Sequence, residues 1–189
     1  WSLISSTQMK LKKKKTATSF QKDPVMRTLI TNHPLEEYYG SRGDLFLDLV
    51  EIVTGQQLSM KAADSIFKRF LALFSAKPKP EEVLIITVEK LRSVGFSKSK
   101  ANYVRNIAQA VSSGSLPLDQ LEKQSDDEVK RELIKIKGSC PWSAEMFLIF
   151  SLKRPDVFSV GDLGLRTAIE KLYGIKRDNL KKVEKLSKT

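Results

Sequence analysis

Two side chains in the second half of the chain have types that could do chemistry. Trp142 opens the apolar stretch "PWSAEMFLIFSL", and Asp162 lies in "DVFSVGDLGLR", directly before another helix-like segment. A carboxylate can stabilise a developing positive charge, and an exposed indole can stack on a base for about 1–3 kcal/mol. Ordinary roles also fit, since tryptophan is commonly a core residue and aspartate a common helix N-cap.

The stretch "KIKGSCPWSAEMF", residues 135–147, predicts two helices joined by a tight turn at Gly138, with Pro141 at the start of the second helix. The first N–H groups of a helix lack partners, and its dipole adds partial positive charge. Such a junction can therefore bind an anion such as a DNA phosphate. A helical corner that only closes a core is the alternative interpretation.

A second loop of interest lies in "TGQQLSMKAA", where Gln56 and Gln57 fall between two predicted helices. Glutamine side chains on such a loop could enter a DNA groove. Exposed glutamines without any binding role are the commoner case, so the loop alone decides nothing.

Charge and composition narrow the class of protein. Lys and Arg number 33 against 22 Asp and Glu, which gives a net charge of +11 and a pI near 9.7. This excess favours a polyanion partner, although a solubilising surface is the simpler explanation. Charge alone does not distinguish nucleic acid from an anionic membrane as that partner. The single cysteine excludes a disulfide framework, a cysteine zinc site and an iron–sulfur cluster. We expect no metal and no cofactor.

The same features predict where the protein works. No apolar run reaches the 18 or so residues of a membrane span, and the N-terminal segment lacks a secretory signal. The low cysteine content indicates a reducing compartment, so we expect an intracellular protein, nuclear in a eukaryote or in the cytoplasm and nucleoid of a prokaryote. Residues 1–22 contain no acidic residue and carry "KLKKKK" at Lys10 to Lys15, which predicts a disordered basic arm. The arm is a solvated tail, a phosphate-contacting arm or a nuclear address.

Apolar periodicity and capping residues predict helices nearly throughout residues 23–189. Strand-like alternation is limited to the short middle of "EEVLIITVEKL", and the predicted fold class is all-α. The stretches with helical period and start or stop signals are "DPVMRTLI", "DLFLDLVEIVTG", "SMKAADSIFKRFLALF", "SKSKANYVRNIAQAVSSG", "SDDEVKRELIKIKG", "PWSAEMFLIFSL", "DLGLRTAIEKLY" and "DNLKKVEKL".

Four stretches together resemble a known family. "TGQQLSMKAA", "VGFSKSKANYV", "KGSCPWSAEMFLIFSLKRPDVF" and "VGDLGLR" are similar to the helix-hairpin-helix (HhH-GPD) DNA glycosylases, in the 3-methyladenine DNA glycosylase II branch, over roughly residues 23–186. The resemblance implies an all-α, two-lobed helix-hairpin-helix glycosylase fold with a DNA-binding cleft between the lobes. It divides the chain into the arm and a glycosylase-like domain at 23–189, whose central six-helix lobe spans about 44–152.

The resemblance also implies roles for particular residues. Asp162 takes the place of the catalytic aspartate and Trp142 that of the aromatic residue that stacks on the substrate base. The positions implied for DNA contact are the hairpin residues Lys137, Gly138, Ser139, Cys140 and Ser143, the intercalating loop residues Gln56, Gln57 and Leu58, and the further phosphate contacts Lys98 and Lys100.

The implied function is that of a monofunctional DNA glycosylase, which excises alkylated purines such as 3-methyladenine and 7-methylguanine by hydrolysis of the N-glycosidic bond in base excision repair. Bifunctional relatives have a Schiff-base lysine where Trp142 stands, so no lyase activity is expected. The partner would be double-stranded DNA with an alkylated base or abasic site, and the protein a monomer. The alternatives are a non-enzymatic binder of abasic or distorted DNA and a basic helical interaction module.

Two departures from the family pattern lead to further expectations. The family hairpin reads Gly-hydrophobic-Gly, whereas this chain has Gly138, Ser139 and Cys140. A non-glycine residue in a left-handed conformation costs about 1 kcal/mol, so we expect strain at Cys140, a missing apolar plug at Ser139 and a weakened phosphate grip. The family's final helix, with a Trp-x-Pro-Tyr-Arg-type opening, is not found before Thr189, which would leave the base pocket open.

Overall fold

The computed structural model describes residues 22–33 and 43–188. Within these residues the chain forms helices and turns without a β-strand, and the one isolated bridge joins Lys137 and Ser139. The all-α prediction is confirmed. The predicted basic arm lies outside the described residues, apart from Lys22.

The chain divides into two compact units, one of residues Gly40–Asp162 and one that combines Trp1–Tyr39 with Leu163–Thr189. In chain order the helices are α1 (Pro24–Asn32), α2 (Leu45–Gly55), α3 (Met60–Leu71), α4 (Pro80–Ile85), α5 (Val88–Ser93), α6 (Lys98–Ser112), α7 (Leu118–Leu121), α8 (Asp126–Ile134), α9 (Pro141–Met146), a π-helical turn (Phe147–Ser151) that continues α9, α10 (Leu163–Tyr173) and α11 (Leu180–Leu186). The β-rich stretch "EEVLIITVEKL" forms the short helices α4 and α5.

Local sequence signals explain where these helices begin. Asp23 caps α1 ahead of a proline, and Ser59 caps α3. Ser125 and Glu128 form a reciprocal capping box at the start of α8. Each of these predicted starts is confirmed, because a cap needs only groups within one turn of the chain.

The larger unit is built on a core of buried aliphatic and aromatic side chains. Helices α2, α3, α6 and α9 all contribute to it, and the ring of Phe70 contacts those of Phe67, Phe74 and Phe96. The core members buried most completely include Val50, Phe67, Phe70, Leu91, Val104, Ala144, Phe147 and Leu148. Because α2, α6 and α9 share this core, the segments at their ends are held by packed helices.

Several basic side chains of this unit bind backbone carbonyls at helix ends. Arg69 Nε donates to Val94 O at 2.8 Å, and Arg105 donates to Leu84 O at 2.9 Å. Arg154 donates to the carbonyl of Glu122, the C-cap of α7, at 2.9 Å. Cations complete the unpaired carbonyls at a helix C-terminus. Part of the positive charge of the chain therefore stabilises the fold.

In the smaller unit, Asp23 joins α1 to α10. Its Oδ1 accepts from the N–H groups of Val25 and Met26, and its Oδ2 accepts from the Tyr173 hydroxyl at 2.8 Å. Burial and the adjacent Asp23 carboxylate raise the pKa of Tyr173 to about 12. The helix cap thus also makes a tertiary contact.

The described residues include neither a membrane-spanning helix nor a cluster of metal-ligand side chains. None of the helices there has the length and apolarity to cross a membrane. No group of three or more His, Cys, Asp or Glu side chains in that part of the chain is arranged to hold a metal ion.

Candidate functional site

Trp142 and Asp162 meet in the folded chain. The indole Nε1 donates to Asp162 Oδ2 at 2.7 Å, and both residues are partly exposed. Trp142 is the second residue of α9, while Asp162 follows a turn and directly precedes α10. Since a hydrogen bond to a carboxylate is among the stronger ones, the indole orients this carboxylate beside its own ring.

The hairpin between α8 and α9 depends on Gly138. This residue has φ +108°, and a Cβ atom there would lie 2.0 Å from Cγ of Tyr103. The hairpin is closed by Ser139 N–H, which donates to Ile136 O at 2.9 Å, and its Lys137 carbonyl accepts from Asn106 Nδ2 at 2.9 Å. Only glycine satisfies both the backbone angle and the contact with the tyrosine.

The strain expected at Cys140 does not occur. Cys140 has φ −137° and ψ 168°, an extended conformation open to any residue, and is the N-cap of α9 without a side-chain capping bond. The expectation was wrong because the left-handed position of this turn is Gly138. The Cys140 thiol instead lies 3.3 Å from Ser143 Oγ, inside the hairpin.

Gln56 points into the protein, towards the hairpin. Its Nε2 donates to Gly138 O at 3.0 Å and to Ser143 Oγ at 2.7 Å, and it lies 3.9 Å from Cys140 Sγ. Ser143 is 1% exposed. The side chains of Gln56 and Ser143, both expected at the DNA surface, therefore contact each other. They join the loop between α2 and α3, residues 56–59, to the hairpin.

The exposed part of the 56–59 loop begins at Gln57. Gln57 is exposed and has φ +56°, an uncommon left-handed conformation for a residue other than glycine. Leu58 is 40% exposed and Met60, the first residue of α3, is 91% exposed. The loop thus presents Gln57 and apolar side chains to solvent.

Lys100 also supports the 56–59 loop. Its ammonium donates to Thr54 O at 2.7 Å and to Gln56 O at 2.6 Å, at the C-terminal end of α2. Burial lowers the pKa of Lys100. Lys98, at the start of α6, is exposed. Of the two expected phosphate contacts, Lys98 faces solvent, whereas Lys100 uses two of its three donors internally.

Two residues not singled out from the sequence, Ser159 and Glu145, are bonded to each other at the start of the turn that ends at Asp162. Ser159 is 2% exposed, and its Oγ donates to Glu145 Oε2 at 2.5 Å. Glu145 follows Trp142 by one turn of α9, and Ser159 precedes Asp162 by one turn of the backbone. The three-residue spacing within each pair, Trp142 with Glu145 and Ser159 with Asp162, can be seen in the sequence. No local pattern indicates that the pair on α9 meets the pair on the turn.

This combination of an all-α fold, a glycine hairpin and an aromatic residue bonded to an aspartate defines the class of helix-hairpin-helix DNA glycosylases. Residues 50–189 match the HhH-GPD superfamily of base excision DNA repair proteins, and the chain belongs to this family. The resemblance stated from the sequence is confirmed.

Known relatives agree with this assignment. The chain is 39% identical over 129 residues to DNA-3-methyladenine glycosylase 1 of Schizosaccharomyces pombe, covering 67% of this chain and 57% of the relative. It is 30% identical over 166 residues to DNA-3-methyladenine glycosylase of Saccharomyces cerevisiae, covering 80% of this chain and 56% of the relative. The chain thus spans a little over half the length of these curated relatives.

A solved structure supports the fold. The S. pombe 3-methyladenine DNA glycosylase in complex with abasic DNA superposes with a TM-score of 0.75 at 31% identity, covering 87% of this chain and 84% of that one. This similarity confirms the helix-hairpin-helix glycosylase fold.

Proposed function

We propose that this protein is a monofunctional DNA glycosylase that removes alkylated purines, such as 3-methyladenine and 7-methylguanine, from double-stranded DNA. The observation that carries the proposal is the hydrogen bond from Trp142 Nε1 to Asp162 Oδ2 at 2.7 Å. It brings an aromatic face and a carboxylate to one place, and these are the two groups that base capture and bond cleavage require. The relatives' names support the substrate class.

The chemistry needs little beyond these groups. An alkylated purine carries positive charge, so its C1′–N bond is already weakened, and the base leaves as a neutral molecule with the bonding electrons. The sugar then becomes an oxocarbenium-like cation, which the Asp162 carboxylate stabilises electrostatically before water adds at C1′. The Trp142 ring attracts a cationic base more than a neutral one, which favours damaged purines.

The surrounding elements would hold the DNA. The hairpin at Gly138 and Ser139, with exposed Lys137 beside it, would contact backbone phosphates. Gln57 and Leu58 would fill the gap that an extruded nucleotide leaves. Flipping costs a few kcal/mol and costs least for a damaged base, which adds selectivity. No side-chain amine stands at position 142, so we also propose that the protein has no lyase activity. We further propose that it acts as a monomer.

The test is release of 3-methyladenine and 7-methylguanine from methylated duplex DNA by the native protein and by Asp162→Asn. We expect release by the native protein and its loss in the variant, with binding to abasic duplex retained. If neither protein releases base but both bind abasic duplex, the glycosylase proposal is wrong, and the protein is a non-enzymatic binder of damaged DNA.

A further inference from the structure

The segment that carries Asp162 is a turn bonded to α9 at both ends. Asp162 N–H donates to Ser159 O at 3.0 Å and closes the turn from Ser159 to Asp162. At its first residue, Ser159 Oγ donates to Glu145 Oε2 at 2.5 Å. At its last residue, Asp162 Oδ2 accepts from Trp142 Nε1.

The two anchoring side chains come from one side of the same helix. Trp142 and Glu145 are three residues apart in α9, a spacing that places side chains next to each other. The helix itself is held firmly, since Ala144 and Phe147 are fully buried in the core. A rigid helix therefore determines the position of both ends of the turn.

The tip of the turn has little support of its own. Gly161 is exposed, and a Cβ atom placed on it would meet no other atom within 4 Å. Gly161 therefore has no side chain through which packing could hold its part of the tip. The bond between Ser159 and Glu145 is partly buried, since Ser159 is 2% exposed and Glu145 is partly exposed. A hydrogen bond to a carboxylate is also stronger than one between neutral groups.

We propose that Glu145 and Ser159 are positioning residues for Asp162, an inference that rests on the proposed glycosylase reaction. Glu145 holds the first residue of the turn, and the closing bond of the turn transmits that position to Asp162. The Asp162 carboxylate then stays beside the Trp142 ring and faces the C1′ atom of an extruded nucleotide. Without the Ser159–Glu145 bond, the first residue of the turn would lose its side-chain anchor to α9.

The experiment compares Ser159→Ala, Glu145→Ala and Glu145→Gln with Ser151→Ala in the full chain. Ser151 is a matched control, since its hydroxyl is also buried but has no hydrogen-bond partner in the part of the chain that the structure describes. Single-turnover base release is measured together with affinity for abasic duplex and with thermal stability. Small displacements of a catalytic group cost up to about 100-fold in rate.

We expect Ser159→Ala and Glu145→Ala to slow base release by roughly 10- to 100-fold while affinity for abasic duplex stays unchanged. Glu145→Gln keeps an oxygen acceptor for the serine, so it should recover much of the rate. Ser151→Ala should match the native protein. Equal rates in Ser159→Ala and Ser151→Ala would overturn the positioning role.

A fluorescence measurement separates this inference from the proposed function. The chain has two tryptophans, so Trp1→Phe leaves Trp142 as the sole tryptophan reporter. We expect Ser159→Ala and Asp162→Asn to change Trp142 emission and acrylamide quenching in the same direction, with Ser151→Ala unchanged. If the native protein releases no base, the proposed function fails, and this spectroscopic comparison still decides whether Ser159 positions Asp162. Unaltered Trp142 emission in Ser159→Ala would refute the positioning role of Ser159.

Discussion

The indole N–H of Trp142 donates a hydrogen bond to the carboxylate of Asp162 at 2.7 Å, across 20 residues of chain. The stacking ring and the catalytic carboxylate of the proposed reaction are thus parts of one unit. An aromatic ring that only stacked on a base would not need a donor. The contact therefore gives Trp142 a second task, which is to orient the group beside it.

This double task predicts different outcomes for two substitutions of Trp142. Trp142→Phe keeps an aromatic face but removes the donor, and hydrogen bonds to charged groups contribute about 1.5–3 kcal/mol. We expect a roughly 10- to 100-fold slower base release with nearly native affinity for abasic duplex. Trp142→Ala also removes the stacking face, so it should reduce both the rate of base release and the affinity for methylated duplex. Native rates in Trp142→Phe would show that the indole donor has no role.

Gln56 and Gln57 should respond in opposite ways to substitution. Gln56→Leu removes the amide that donates to the buried Ser143 hydroxyl and to the Gly138 carbonyl, which should lower the free energy of unfolding by about 1–3 kcal/mol. Gln57→Gly removes an exposed side chain and relieves a left-handed backbone, so stability should rise by about 1 kcal/mol while lesion affinity falls. Urea unfolding measures the stability of each variant, and binding to abasic duplex measures its lesion affinity. Similar stability in the two variants would contradict the inward role of Gln56.

Lys100 and Lys98 form a matched pair for the salt dependence of DNA binding. An exposed lysine that contacts a phosphate contributes about one unit to the slope of log K against log salt. We expect Lys98→Met to reduce that slope and leave stability unchanged. Lys100→Met should lower stability, because two carbonyls at the end of α2 lose their donor. A reduced slope in Lys100→Met with native stability would place that ammonium on DNA after all.

The hairpin glycine can be tested against a second glycine that also has a positive φ. Gly138→Ala meets both a positive φ, which costs about 1–3 kcal/mol, and the Tyr103 ring. Gly114 has φ +74° but nothing within 4 Å of a Cβ position, so Gly114→Ala meets the backbone cost alone. We expect Gly138→Ala to be the less stable variant by thermal unfolding and the only one to lose DNA affinity. Equal losses of thermal stability in the two variants would exclude the Tyr103 contact as a cause of the destabilisation in Gly138→Ala.

Tyr173 should make stability sensitive to alkaline pH. Its pKa rises from the ordinary 10.0 to about 12 in the folded protein, through burial and then Asp23. The fold therefore favours the protonated phenol. The stability that Tyr173 contributes to the folded protein is complete below about pH 10 and is lost as pH rises through about 12. Urea unfolding across this window should show native protein losing more stability than Tyr173→Phe. Parallel curves would rule out the bond to Asp23 as a source of stability.

Helix positions and caps could be predicted from the sequence because their causes are local. The 3.6-residue apolar period and groups such as Asp23, Ser59 and Ser125 act within a turn of their own helix. The types and spacing of Trp142 and Asp162 likewise indicated a place for chemistry. The hydrogen bond that joins them requires α9 and the turn before α10 to meet, which no local pattern specifies.

Directions of side chains and backbone angles were decided only by the tertiary structure. Gln56 and Gln57 are adjacent residues of the same type, yet the first bonds the hairpin and the second faces solvent, because only Gln56 lies within reach of Gly138 and Ser143. Lys100 likewise donates to the carbonyls of Thr54 and Gln56 because the fold brings the end of α2 within its reach. Cys140 takes an extended backbone since Gly138 already makes the left-handed turn. Composition and period determine which elements form, whereas contacts between distant segments determine which side chains stay exposed to solvent.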